Sequence, residues 1–376
     1  MSLLEIPLVN DVHRKIIHVD MDAFYASIEE RDHPQYRHKA LMISRDPRTS
    51  GGHGVIATAN YLARRYGVHS AMSAAEANRL VPATLAVFKK PDFVKYRQVS
   101  RQLHMIFHEV TEKIEPVALD EAYLDVTTNK LQQSDTIALA CWLQQRIYQT
   151  THLVCSVGIS YNKFLAKMAS DYRKPRGRTI ILPAQAQAFL QQMPINKFHG
   201  VGKKTLPKLL AMGITNGKDL LTVSLDTLTA HFGKAGYLLY QHARGIDNRP
   251  VVYQRLRKSI GREHTYDQRL QSETAVVNQL HILAQRVHAD LVKQHAQGQT
   301  IVLKIRDDDF NTVTRRQKLT HLIDRSDDIF QAALQLWHAY GQSQPCIRLL
   351  GITLTDLSFH DYENITLPLF NEDNKR

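Results

Sequence analysis

The sequence predicts an α+β chain of several domains, in which a helical segment separates two split βαβ units. Two observations carry this. Residues 15–182 read, once an insertion is set aside, as strand, helix, strand, strand, helix, strand, and the same order returns from Ser259. Between the two, residues 183–245 have only helical periodicity, in short runs broken by glycines. At 376 residues the chain exceeds one ordinary core. A hydrophobic content of 43% and a charged content of 22% mark it as globular.

The elements follow in order. "KIIHVD" (15–20) is an apolar strand and "AFYASIEERD" a helix. The insertion runs through "KALMIS", the loop "SGGHG" and the helical "ANYLARRYG". "TLAVF" returns the chain to the first unit as a strand, and 91–110 is a long helix. "KIEPV" and "AYLDV" are strands flanking a turn at Leu119–Glu121. A helix (134–150), the strand "LVCSVGIS", the helix "NKFLAKMAS" and the strand "TIIL" complete the unit. A polar linker, 246–258, leads to strand 259–266, helix 272–296, strands 299–307 and 312–320, helix 326–340 and strand 346–356. The final residues are polar apart from "ITLPLF" and read as a tail.

The net charge is +12, and it is concentrated. From Ile181 to Arg262 twelve Lys/Arg stand against three Asp/Glu, which favours a phosphate-facing region. Cys141, Cys155 and Cys346 are far apart and lack metal-ligand spacing, as expected of a reduced, cytoplasmic compartment. No signal peptide is expected, and no apolar run is long enough for a membrane span.

Three carboxylates point to chemistry. Asp120 and Glu121 sit side by side in a run that otherwise reads as buried strand, where repulsion and burial both oppose them. Asp20 ends the first strand, which the split βαβ order places beside them. Hard oxygen ligands without Cys or His favour Mg²⁺ or Mn²⁺, as a pair of ions about 3.5–4 Å apart. Asp22 reads as a cap of the following helix. Tyr61 and Arg64, three residues apart on one helical face, and Lys174 after a later helix are candidates for holding a triphosphate. "HGVGKKTLPKLLAMGI" has the form of a helix-hairpin-helix. Gly200 and Gly202 permit a tight hairpin whose amides approach a DNA phosphate, with Lys203 and Lys204 alongside and Arg257 and Lys258 adding to the basic surface.

"IIHVDMDAFYASIE", "GVIATANYLARRYGV", "LDEAYLDVT", "SVGISYNKFLAKMASDYRKPRG", "GVGKKT" and "LRKSIGREHT" occur in the order of the Y-family DNA polymerases, and the chain resembles their DinB, or DNA polymerase IV, type from Lys15 to about Leu357. The resemblance implies a right-hand polymerase. Its palm is 1–25 and 85–182, its fingers 26–84, its thumb 183–245 and its little finger 259–358, with a tail at 359–376. It implies that Asp20, Asp120, Glu121 and the Met21 carbonyl hold two Mg²⁺ ions. Tyr61, Arg64 and Lys174 would bind the incoming deoxynucleoside triphosphate. Tyr25 would be the steric gate that excludes a ribose hydroxyl.

Small Val55 and Ala57 would lie over the templating pair and leave room for a damaged base. Ala118 departs from the family's frequent Ser without touching a ligand. Primer-template DNA is the implied partner of a monomer without proofreading. Leu367, Leu369 and Phe370 resemble a sliding-clamp peptide, with Thr366 in place of the usual Gln. Two alternatives are a nucleotidyl cyclase, which shares the palm but leaves the helix-hairpin-helix unexplained, and a non-catalytic DNA-repair factor, which would not need the three carboxylates.

Overall fold

The computed structural model describes residues 8–341 and 346–359. The chain divides into two compact units, Met1–Gln254 and Arg255–Arg376.

In the first unit, β1 (Ile16–Met21) leads into α1 (Phe24–Asp32). Then come β2 (Ala40–Ile43), β3 (Thr58–Ala59), α2 (Tyr61–Arg65), α3 (Ala74–Leu80) and β4 (Ala86–Lys89). The helix α4 (Phe93–Val110), started by the Asp92 carboxylate on the amides of Val94 and Lys95, is followed by β5 (Ile114–Pro116) and β6 (Glu121–Asp125). Next are α5 (Thr136–Thr151), β7 (Cys155–Ser160), α6 (Lys163–Tyr172) and β8 (Arg178–Ile180). Five short helices close the unit: α7 (Pro183–Gln192), α8 (Leu206–Ala211), α9 (Gly217–Thr222), α10 (Leu225–Phe232) and α11 (Lys234–Ala243).

The strand order of the main sheet is β5-β6-β1-β7-β8. β1 is central and buried on both faces, so its period-2 alternation sorts its side chains into two environments. Ile17, Val19 and Met21 join the core with Leu103 and Phe107 of α4 and Leu143 and Ile147 of α5. Ile16 packs on the opposite side with Tyr123 and with Ala166 of α6. His18 and Asp20 share that side by alternation. Gly158 of β7 lets α6 come down close, since a Cβ there would stand 1.9 Å from the Ala166 carbonyl oxygen and 2.3 Å from the Ser170 amide.

Two boundaries differ from the sequence reading. β4 does not return to the main sheet. It runs parallel to β2 in a separate sheet, β3-β2-β4, so the insertion extends to Lys89 rather than 84. A strand this short, Ala-Val-Phe-Lys, carries no information about its partner. The linker is also shorter than 246–258. Val251 is buried against Ile16 and Tyr123, and the Val252 amide donates to Glu115 at 2.8 Å. Asn248 exchanges hydrogen bonds with the Val9 carbonyl and the Asp11 amide. Residues 246–252 therefore belong to the first unit.

The second unit has the expected element order: β9 (Ser259–Leu270), α12 (Glu273–Lys293), β10 (Ala296–Asp307), β11 (Thr312–Ile323), α13 (Ser326–Tyr340) and β12 (Ile347–Phe359). Its antiparallel sheet, β11-β10-β12-β9, buries Ile301, Leu303 and Ile305 against both helices. Alternation turns Lys304 and Arg306 to the other face, beside Arg316 of β11. Among the described residues no helix is long and apolar enough to cross a membrane.

Candidate active site

The carboxylates meet because of register. Asp20 and Glu121 are directly opposed across the antiparallel pair β1–β6, which points both side chains to the face covered by α6. The Met21 amide donates to the Asp120 carbonyl at 3.0 Å and fixes the turn that carries Asp120 to the same sheet end.

Two lysines answer this charge. Lys167, on the face of α6 that Gly158 admits, places Nζ 2.7 Å from Asp20 Oδ2 and 2.7 Å from Glu121 Oε2. Lys174, beyond the end of α6, lies 2.6 Å from Asp20 Oδ1 and 3.1 Å from Asp171. Burial works to raise the Asp20 pKa, but the two ammonium groups outweigh it and hold the carboxyl at about 2. Burial, with the negative charges of Asp20 and Glu121 added, pushes Asp120 up to about 6. Burial also raises Glu121, against the pull of Lys167. For Lys167 burial favours the neutral amine, yet Asp20, Asp171 and Glu121 reverse that and keep it charged.

Behind the acids His18 is fully buried, its Nδ1 2.9 Å from Ser170 Oγ and its Nε2 3.6 Å from Glu121. Burial, then the nearby Lys167, drives its pKa well down, so the ring is neutral. One ligand atom each from His18, Asp20 and Glu121 lies within 4.8 Å of the others. This predominantly oxygen donor set, with Asp120 at its edge, fits a hard divalent cation.

Asp22 is not a helix cap. The residue preceding α1 is Ala23, in the left-handed region, with no side-chain cap. Asp22 is instead a buried junction that accepts from Tyr61 Oη and Ser156 Oγ, both at 2.9 Å, and from the Arg176 amide at 2.8 Å. It thereby ties α2 to β7 and to the loop of Lys174. The Tyr61 hydroxyl is thus engaged by Asp22, while the Arg64 guanidinium lies over the Tyr61 ring and donates to the Ala59 carbonyl.

One cleft is lined by Asp20, Met21, Tyr25, Ala57, Tyr61, Arg64, Asp120 and Lys174 among others. The expected metal and nucleotide groups therefore converge, with Glu121 alongside through Asp20. Tyr25 stands on the cleft wall, stacked on Tyr96 and met edge-on by Phe93. Ser70 lines the cleft too and carried no signal in sequence. Lys167 and His18 were also missed: a lysine four residues after another on a helix reads as a solvated face, and a lone histidine as core. Val55 is exposed.

Elsewhere in this unit, Gly200 has φ +96°, and neither it nor Gly202 has an atom near where a Cβ would stand. The amides of Gly202, Lys203 and Lys204 have no protein acceptor among the described residues, and both lysine side chains are exposed. In the second unit Arg257 donates to the Ser259 carbonyl, and Lys258 is exposed. Leu367, Leu369 and Phe370 lie outside the described residues.

Comparison with known proteins identifies the family. Residues 19–171 match the model of the impB/mucB/samB family, and residues 257–367 match that family's C-terminal domain. Residues 196–247 match the DNA polymerase-iota thumb domain. DNA polymerase IV of Streptococcus pneumoniae is 50% identical over 353 residues, spanning 94% of this chain and 99% of that protein. DNA polymerase IV of Streptococcus agalactiae is 48% identical over 365 residues, 97% of this chain and all of that one. A solved Y-family DNA polymerase chimera of Dbh and Dpo4 superposes with a TM-score of 0.81 at 28% identity, over 92% of this chain and all of the chimera. The chain belongs to the Y-family DNA polymerases, of the DNA polymerase IV type.

Proposed function

We propose that the cleft adds deoxynucleotides to a primer 3′ end under the direction of a template, as a translesion DNA polymerase. The convergence of Asp20, Asp120, Tyr25, Tyr61, Arg64 and Lys174 on one cleft carries this reading. Enzymes of this family use divalent metal ions. Asp20, Asp120 and Glu121, with the Met21 carbonyl, would hold two Mg²⁺ ions here, and Mn²⁺ would suit the same oxygens. Such a pair would supply activation of the primer hydroxyl and neutralisation of charge on the leaving pyrophosphate. The chain's own groups position the substrate: Arg64 and Lys174 grip the triphosphate, and Tyr61 adds its hydroxyl on release from Asp22. Tyr25 packs against C2′ of the sugar, and the short Ala57 leaves space above the base pair.

DNA is held through its phosphates by the Gly200–Lys204 hairpin, by Arg257 and Lys258, and by Arg306 and Arg316 of the second unit's sheet. The enzyme works as a cytoplasmic monomer, tethered to a sliding clamp by Leu367, Leu369 and Phe370. The tether raises its effective concentration at the primer end. Deleting 366–376 then removes clamp stimulation and spares unassisted extension; stimulation that survives the deletion overturns the tether.

Primer extension with deoxynucleotides and Mg²⁺, run beside conversion of free ATP to a cyclic product, tests the activity. Template-dependent extension without cyclisation is expected. Cyclisation alone would favour the cyclase, and neither product would favour a non-catalytic DNA-binding factor.

A further inference from the structure

We propose that Lys174 is a latch shared by Asp20 and the incoming triphosphate. It masks one oxygen of the Asp20 carboxylate until phosphate draws it away. This rests on the assignment of Lys174 to the triphosphate made above.

Each oxygen of Asp20 is held by a different lysine: Oδ2 by Lys167 and Oδ1 by Lys174. Each Asp20 oxygen keeps a second lone pair that a divalent ion could take at about 2.0–2.1 Å, but the ion would then face an ammonium group on the same carboxylate, and like-charge repulsion at that range favours withdrawal of one ammonium. The two lysines are not equally free to leave. Lys167 is 13% exposed, sits within α6, and bridges Asp20 to Glu121 at 2.7 Å on each side. Lys174 is 23% exposed and lies past the helix end. Its other partner, Asp171, is 49% exposed and holds it at 3.1 Å. It also lines the same cleft as Arg64 and Tyr61, where a polyanion would enter. Lys174 is therefore the group that exchanges, and Lys167 remains as a fixed counter-charge. Nucleotide entry then uncovers Asp20 Oδ1, so substrate and ion binding are coupled through one side chain. The coupling is reciprocal: Asp20 competes with the triphosphate for Lys174.

The test is the affinity of the full chain for dATP in EDTA, read by calorimetry, with thermal melting to verify folding of each variant. Lys174→Gln should weaken binding about tenfold, the loss of one charge-assisted contact. Asp20→Asn should tighten it about fivefold by releasing the latch. Glu121→Gln removes the same charge from the same cluster but frees Lys167 instead, and should leave affinity near wild type. In the Lys174→Gln background the Asp20→Asn gain should vanish. Equal gains from Asp20→Asn and Glu121→Gln, or a gain that persists without Lys174, would reduce the effect to bulk charge and overturn the latch alone. Unchanged affinity in Lys174→Gln would remove the triphosphate assignment itself.

Discussion

The ring of Tyr25 lies flat against that of Tyr96, with centroids 4.4 Å apart and planes 11° from parallel. Tyr96 is fully buried, and its hydroxyl donates to the equally buried Glu29 at 2.9 Å. Glu29 in turn is paired with Lys95 at 3.1 Å. In the gate role proposed above, an aromatic backed this firmly should resist a 2′-hydroxyl. Tyr25→Ala should raise the efficiency of ribonucleotide relative to deoxynucleotide incorporation by about 10–100-fold. Tyr96→Phe keeps the stack, so it should leave that ratio alone while lowering stability by about 1–3 kcal/mol at Glu29. Single-nucleotide incorporation with both sugars measures the first effect and thermal melting the second. An unchanged sugar ratio in Tyr25→Ala would remove the gate.

Gly158 sets the depth of α6 and hence the reach of Lys167 to the acids. Gly158→Ala puts a methyl where 1.9 Å separates it from the Ala166 carbonyl oxygen, so helix and sheet must part. Stability should fall by about 1–3 kcal/mol. Extension by the still-folded fraction should fall as well, because Lys167 loses its bridge. A variant that melts early but keeps full specific activity would show that this helix position does not matter to the site.

His242 stacks on Phe164 with centroids 4.0 Å apart, at the junction of α6 with the terminal helices. Burial drives its pKa down from the ordinary value to about 4. In the unfolded chain the ring takes up a proton below pH about 6.5, and in the folded chain only near 4. The unfolded state thus binds more protons in that window. The stability contributed by the neutral ring is complete above the unfolded pKa and is lost as pH falls toward 4. Between pH 7 and 5 the wild type should lose about 2 kcal/mol from this group. His242→Phe, which keeps a stacked ring, should lose correspondingly less. Parallel pH profiles for the two proteins in denaturant melts would refute the assignment.

Much of the site was legible because carboxylates are costly in a buried strand. Asp20, Asp120 and Glu121 stood out against "KIIHVD" and "AYLDV", and the strand order then brought them together. What escaped depends on contacts made across long stretches of chain. Asp22 takes partners from residues 61, 156 and 176, so nothing near it in sequence separates a junction from a cap. Lys167 needs Gly158 and the descent of α6 before it meets the acids. β4 is three apolar residues and Lys89, and its pairing with β2 is a tertiary choice. The linker reads as polar because its buried apolar anchors, Ile246 and Val251, stand apart among polar and charged residues.

The hairpin at Gly200 should bind DNA by its backbone. Replacing Lys203 and Lys204 together by Glu should weaken binding to every duplex alike. It should also lower the slope of log affinity against log salt by about 2, one for each lost phosphate contact. Fluorescence anisotropy on unrelated sequences across a salt series measures this. Loss confined to one sequence would contradict backbone contact.

The central claim is that Asp20, Asp120 and Glu121 together carry phosphoryl transfer. Primer extension by Asp120→Ala, with folding verified by melting and DNA binding by anisotropy, tests it most directly. Nucleotide addition should fall by about a thousandfold or more, while both controls stay near wild type. A folded, DNA-binding Asp120→Ala protein that extends primers at close to the wild-type rate would contradict the account.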